Sequence, residues 1–241
     1  MNLPRRFFNF LLDLLFPWQC LYCHRETANN YPLCSDCFNQ ITIFDDFICP
    51  VCQKLMIPDT NHRSCRQKNK LDALGCVNSY HHNILRETIH YFKYNKIISL
   101  SQPLSMLMIK FLEESLFFSQ LPKDNILLIP MPLHLKKKKQ RGFNQSELLA
   151  QEIAKHFNWA YNSRLLIRIK NNPPQVNIKN SEQRKLNVSG IFRIKDKENL
   201  SRKIIILIDD VYTTGATMNE AAKILKKAGA KKVIGLVLAK G

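Results

Sequence analysis

A chain of 241 residues with 45% hydrophobic and 23% charged residues has the make-up of a folded globular protein, which excludes a disordered or low-complexity chain. Its formal charge of +17 is uneven: eight Lys and Arg stand against seven Asp and Glu in residues 1–80, and 28 against 12 in residues 81–241. That balance points the second part toward a polyanion, nucleic acid or a phosphate-rich small molecule, and leaves Lys226, Lys227, Lys231 and Lys232 as solvated surface charge.

The opening MNLPRRFFNFLLDLLFPWQC sets Arg5 and Arg6 before an apolar run, as a secretory leader does. Asn9 and Asp13 interrupt the run, Pro17 and Trp18 close it, and no small-x-small cleavage site follows. The run is also too short to span a bilayer. It reads as an amphipathic helix docked on the rest of the protein, and the expectation is a cytoplasmic chain without a membrane span.

Seven of the eight cysteines come next. Cys20, Cys23, Cys34 and Cys37 form C-x2-C-x10-C-x2-C, the spacing that lets two pairs of thiolates close on one structural zinc ion. Cys49, Cys52, His62 and Cys65 make a second set of three thiolates and an imidazole, so one or two zinc ions are expected. The alternatives for the second set are a surface His62 with three cysteines in a cross-braced arrangement, or disulfides. His24 reads as a neighbour of the first site and Cys76 as a buried structural thiol. Four protein ligands leave no open position, so neither zinc is catalytic. Residues 1–70 are thus expected as a small metal-dependent region, because so short a segment buries little apolar surface.

From residue 71 to 241 strands and helices alternate. NILRETIHYFKY and SQPLSMLMIKFLEESLF carry helical spacing, ILLIP at 126–130 reads as a buried strand, and a polar loop follows. SELLAQEIAKHF resumes the helical period. LLIRI at 165–169 reads as a strand, residues 170–186 as a loop, KIIILID at 203–209 as a strand, residues 217–228 as a helix stopped by Gly229, and VIGLVLA at 233–239 as a last strand. Apolar runs without alternation are strands buried on both faces, so the expected fold is α/β, a parallel sheet flanked by helices.

LIDDVYTTGATM at 207–218 lies where a strand's carboxyl end meets a helix, the place where open α/β sheets bind ligands. Asp209 and Asp210 cannot be buried unpaired, and two ionised carboxylates accept well from adjacent ribose hydroxyls. Thr213, Thr214, Gly215, Ala216 and Thr217 offer consecutive backbone amides at a helix N-terminus, which suits a phosphate. Neither a Walker lysine nor G-x-G-x-x-G is present, which disfavours a nucleoside triphosphate or dinucleotide.

IIILIDDVYTTGATM resembles the phosphoribosyl-pyrophosphate (PRPP) motif of type I phosphoribosyltransferases. With RGFNQ at 141–145, the residues Gln175, Arg184, Asn187, Gly190 and Phe192, and the CxxC pairs, the chain resembles the ComF/GntX family of competence-associated, phosphoribosyltransferase-like proteins. The resemblance implies a type I phosphoribosyltransferase-like fold behind a small zinc-binding domain. By it, Asp209 and Asp210 bind the ribose hydroxyls and residues 213–217 hold the 5-phosphate. Arg141 and some of Lys136, Lys137, Lys138 and Lys139 lie near the pyrophosphate, Mg2+ accompanies PRPP, and Arg184 covers the site as a lid. In this family a cysteine usually stands where His62 does. No acceptor-binding segment is recognisable, so turnover is left open.

Family resemblance also implies a role in natural transformation, on incoming single-stranded DNA and beside DNA-uptake proteins. KKKKQRGF and Tyr91, Phe92, Lys93, Tyr94 and Lys96 mix cations with rings, a mixture suited to backbone contact and stacking on a single strand, although Tyr91 and Phe92 read more readily as core. The second functional reading is an active phosphoribosyltransferase that joins ribose 5-phosphate to a base or amine.

Overall fold

The computed structural model describes residues 18–27, 32–56, 63–170, 189–195 and 199–241. The helix expected at the start of the chain, His62, Arg184 and most of the 170–186 loop lie outside them. After the short helices α1 (Ser35–Asn39) and α2 (Arg63–Lys68) come β1 (Ala73–Ser79), α3 (Asn83–Tyr94), α4 (Ser101–Glu114), α5 (Leu116–Ser119) and β2 (Ile126–Pro130). The chain continues through α6 (Leu135–Arg141), α7 (Gln145–Phe157), β3 (Ala160–Tyr161), β4 (Leu166–Arg168), β5 (Phe192–Ile194), β6 (Ile204–Tyr212), α8 (Ala216–Lys227) and β7 (Lys232–Lys240).

The main sheet is wholly parallel, in the order β1-β7-β6-β2-β3. Its two longest strands, β6 and β7, lie inside it, and alternate residues of each face opposite layers. Ile204, Ile206 and Ile208 pack with α3, α4 and α7, while Ile205 and Leu207 pack with α8. Both faces are covered, so these strands read as unbroken apolar runs. Met218, Ala221, Ala222 and Leu225 of α8 fill the second layer as their spacing predicts, and Gly229 follows the helix at φ 97.

The cysteine-rich region is built onto the same core. Phe44 N–H donates to Val77 O, and Ile48 and Leu74 exchange backbone hydrogen bonds, so this segment runs antiparallel along the free edge of β1. Phe47 is fully buried, with ring centroids 5.1 Å from Phe111 and 5.0 Å from Phe117. Gly75 is what lets Phe47 approach, because a Cβ there would strike the rings of Phe47 and Phe111.

Two expectations are corrected. The run at 165–169 does not join the parallel sheet: β4 pairs antiparallel with β5 in a separate two-stranded flap over α8. Only Leu165 and Leu166 are buried there, Ile167 is half-buried and Ile169 is exposed, so the run lacks the unbroken burial of a central strand. The stretch expected as a polar loop after β2 contains α6, started by the His134 ring accepting from Lys136 N–H and stopped by Gly142 at φ 89. Phe92 is fully buried, as the core reading of that segment has it, and so cannot stack on a base, whereas Tyr94 is exposed. Among the described residues, no helix is long and apolar enough to cross a membrane.

Candidate functional site

β6 ends at Tyr212 and α8 begins at Ala216, with Thr213 and Thr214 exposed on the turn between them. Gly215 closes the turn at φ 71, and a Cβ there would overlap the Tyr212 hydroxyl, so no other residue fits without moving that buried ring. As the N-cap of α8, Gly215 supplies no side-chain acceptor; Thr214 Oγ1 lies 3.5 Å from Ala216 N, at the limit of a hydrogen bond. The first amides of a twelve-residue helix therefore open onto a cleft of ≈ 220 Å³, with the dipole favouring an anion.

Asp209 and Asp210 form one wall of this cleft. Asp209 Oδ1 accepts from the Ser146 hydroxyl at 2.9 Å and from Asp210 N–H at 2.9 Å. Asp210 Oδ1 is held by Lys93 Nζ at 2.8 Å. Each carboxylate thus has one oxygen fixed by the protein, and its Oδ2 takes no hydrogen bond from the described residues. Burial, reinforced by the neighbouring Asp210 carboxylate, pushes the Asp209 carboxyl up to about 7. Burial would lower the Lys93 ammonium, but Asp210 outweighs it and the net shift is upward.

Cations line the other wall. Arg141 reaches the cleft from the end of α6 and Arg168 from β4. Lys137 stands four residues before Arg141 and so shares its helix face. Burial, then the charges of Arg168 and Arg141, lower the Lys137 ammonium, a cluster of like charges that an anion would relieve. Burial likewise lowers Arg168, with Asp209 opposing. Arg141 Nη1 donates to Gln145 Oε1 at 2.7 Å, which fixes that amide. Gln145 Nε2, on the cleft, is left buried with no partner among the described residues.

The structure thus brings Asp209, Asp210, residues 213–217 and Arg141 to one cleft, and divides the lysine run. Lys136 and Lys139 point to solvent, Lys138 pairs with Glu147 at 2.9 Å, and Lys137 turns toward the arginines. Arg184 lies outside the described residues. Lys93, Arg168, Gln145 and Ser146 were not legible as site residues. Lys93 looked like one of several surface cations, and only RGFNQ gave any signal, at Gln145. Lys226, Lys227, Lys231 and Lys232 gather around one surface hollow with Lys70 and Lys223, where Lys226 is tied to Asp72 at 2.6 Å.

The cysteines come together in two turns that repeat one another. Cys20 N–H donates to Arg25 O and Cys49 N–H to Lys54 O, each at 2.8 Å; His24 N–H donates to Cys20 O and Gln53 N–H to Cys49 O. His24 and Gln53 take the same left-handed conformation, φ 59 and 63, which turns both thiols of each pair inward. Cys34 and Cys37 follow at the start of α1, where Cys37 N–H donates to Cys34 Sγ. The sulfurs of Cys20, Cys23, Cys34 and Cys37 lie within 4.8 Å of one another, as do those of Cys49, Cys52 and Cys65. With Zn–S bonds of about 2.3 Å, tetrahedral thiolates stand roughly 3.8 Å apart. The Cys23–Cys34 separation of 3.6 Å fits this, and none of the eight cysteines is joined in a disulfide. His62 lies outside the described residues, so the second group offers three thiols within them. Cys76 is buried on β1, its thiol pushed up to about 12 by burial, an inert structural group.

Residues 11–68 match the double zinc ribbon domain family, and residues 144–241 match the phosphoribosyl transferase domain family. The clusters are accordingly structural zinc sites. The chain is 26% identical to Competence protein F of Haemophilus influenzae over 223 residues, 90% of this chain and 95% of that protein. It is 29% identical to Competence protein ComFC of Bacillus subtilis over 221 residues, 88% of this chain and 84% of that protein. The DNA utilization protein YhgH of Escherichia coli K12 is 29% identical over 228 residues, 91% of this chain and 96% of that protein.

Proposed function

We propose that the chain belongs to the ComF/GntX family of competence-associated, phosphoribosyltransferase-like proteins, and that it binds PRPP and handles single-stranded DNA entering the cytoplasm during natural transformation. The observation that carries the ligand is the pair of open carboxylate oxygens on Asp209 and Asp210, set beside the uncapped start of α8. Two acceptors suit the two ribose hydroxyls. The amides of residues 213–217 suit the 5-phosphate, and Arg141, Arg168 and Lys137 suit the pyrophosphate, with Mg2+ arriving on that group as part of the ligand. Arg184 is assigned to cover the ligand. His62 is assigned as the fourth ligand of the second zinc, since His62-x2-Cys65 stands to Cys49 and Cys52 much as Cys34-x2-Cys37 stands to Cys20 and Cys23. Residues 1–70 then serve as the zinc unit and residues 71–241 as the PRPP unit.

The names of the relatives, competence and DNA utilization, support the DNA role, as do the exposed Lys136 and Lys139. Proteins of the uptake machinery are the natural partners for such a role. Calorimetry of the zinc-loaded protein with PRPP and Mg2+ tests the ligand: saturable binding in the wild type and its loss in Asp210→Asn are expected. Absence of wild-type binding contradicts it. Single-strand binding that weakens steeply with salt and survives Asp210→Asn tests the DNA role.

Active transfer is the second reading. Asp209, with its carboxyl near 7, can take a proton at neutral pH, as attack of a nitrogen nucleophile on C1 of the ribose with departure of pyrophosphate requires. Acceptor-dependent pyrophosphate release that disappears in Asp209→Asn would establish it.

A further inference from the structure

Building on the PRPP reading, we propose that Lys93 is the resident counter-cation of the ribose subsite, so that the protein holds the sugar through its carboxylates without needing a metal ion to bind. Lys93 sits in the last turn of α3, a helix pinned by the buried side chains of Ile84, Leu85, Ile89 and Phe92. Its Nζ is 2.8 Å from Asp210 Oδ1, with the two side chains only 15% and 11% exposed. Both residues line the cleft. The pair therefore stands at the ligand's own boundary, unlike an ion pair that merely ties two layers of the fold together.

The electrostatics follow from the charge count. Two adjacent carboxylates facing a phosphorylated sugar repel it, and a divalent ion is one way to remove that repulsion. Here an ammonium already does so. It occupies one Asp210 oxygen and leaves the other free to accept from a hydroxyl. The same ammonium makes the carboxylate pair a poor seat for a divalent ion, which wants several unencumbered oxygens and no cation within 3 Å of one of them. Across the cleft, Arg141, Arg168 and Lys137 supply fixed positive charge for the pyrophosphate. Magnesium then has its work in easing pyrophosphate departure if transfer occurs, and little in holding PRPP.

The test is calorimetric titration of the full-length, zinc-loaded protein with PRPP, with and without added Mg2+. Magnesium is removed by desalting, because a chelator would also strip zinc. Wild-type affinity is expected to fall by no more than about threefold without magnesium. In Lys93→Met it is expected to fall by about tenfold or more, with millimolar magnesium restoring part of the loss and Lys93→Arg behaving like the wild type. A wild type that loses more than tenfold without magnesium overturns the proposal by itself, so a misfolded variant cannot shelter it. Equal weakening of a folded Lys93→Met with and without magnesium overturns it as well. If the wild type binds PRPP in neither buffer, the PRPP reading fails and takes this proposal with it; binding only with magnesium leaves that reading standing and removes Lys93 from its role.

Discussion

In residues 18–56 and 63–68 the binding atoms are sulfurs drawn together by tight turns and short helices, whereas around residues 209–217 they are carboxylates and amides at the end of a packed strand. The first region has few buried side chains of its own, chiefly Leu33, Ile41 and Phe47, and depends on its ions and on the edge of β1. The second is held by the sheet, with Asp210 paired to Lys93 and Gly215 braced by Tyr212. In one region binding makes structure; in the other, structure makes binding.

Removing zinc is the strongest way to break that comparison. Structural zinc binding is worth about 10 kcal/mol or more in small zinc domains. Cys37→Ser is expected to lose one zinc per chain and to open residues 18–56 to proteolysis. Because Phe47 lies against Phe111 in the common core, the melting temperature of the whole chain should fall too. A sheet that melts unchanged would show the two regions to be independent.

Asp210→Asn removes one partner of a largely buried ion pair and should cost about 3 kcal/mol in denaturant unfolding, the low end for such changes since both side chains keep some exposure. Gly215→Ala strains a left-handed backbone and pushes Tyr212, and should cost about 1–3 kcal/mol while weakening PRPP binding at least tenfold.

The raised Asp209 carboxyl sets a pH dependence of opposite sign for folding and for binding. Its folded value of about 7 exceeds the ordinary 3.8, so its contribution to stability is full below pH 3.8 and is lost as pH rises through 7. Ribose hydroxyls need the ionised form, so PRPP affinity should rise about tenfold from pH 6 to pH 8 and level off above. Asp209→Asn should flatten that rise beyond what the phosphate's own titration contributes. The smallest effect is expected from Lys136→Ser with Lys139→Ser. Stability should stay within about 0.5 kcal/mol, and the salt slope of single-strand binding should drop by about 1.4.

The sequence carried the thiol clusters because their spacing is local: two CxxC pairs dictate turns without reference to the rest of the chain. It carried β2, β6, β7 and the turn at 213–217 because burial on both faces and a run of threonines around Gly215 leave a mark in a few residues. The partners of β4 were hidden, since Leu165 and Leu166 look alike in a sheet or a flap. Lys93 was hidden for the same reason. Between Phe92 and Tyr94 it reads as a solvated or strand-binding cation, and only the fold, which sets the last turn of α3 beside the end of β6, reveals that it faces Asp210. Arg168 and Gln145 likewise acquire meaning only when β4 and α7 meet over the cleft.

The central claim is that the end of β6 and the start of α8 form a seat for a phosphorylated ribose. Titration of the wild type and Asp210→Asn with PRPP and Mg2+, both checked for intact zinc content and folding, tests it most directly. One saturable site per chain is expected in the wild type, and at least a tenfold loss of affinity in the variant. Equal affinity in the two proteins, or none in the wild type, would contradict it.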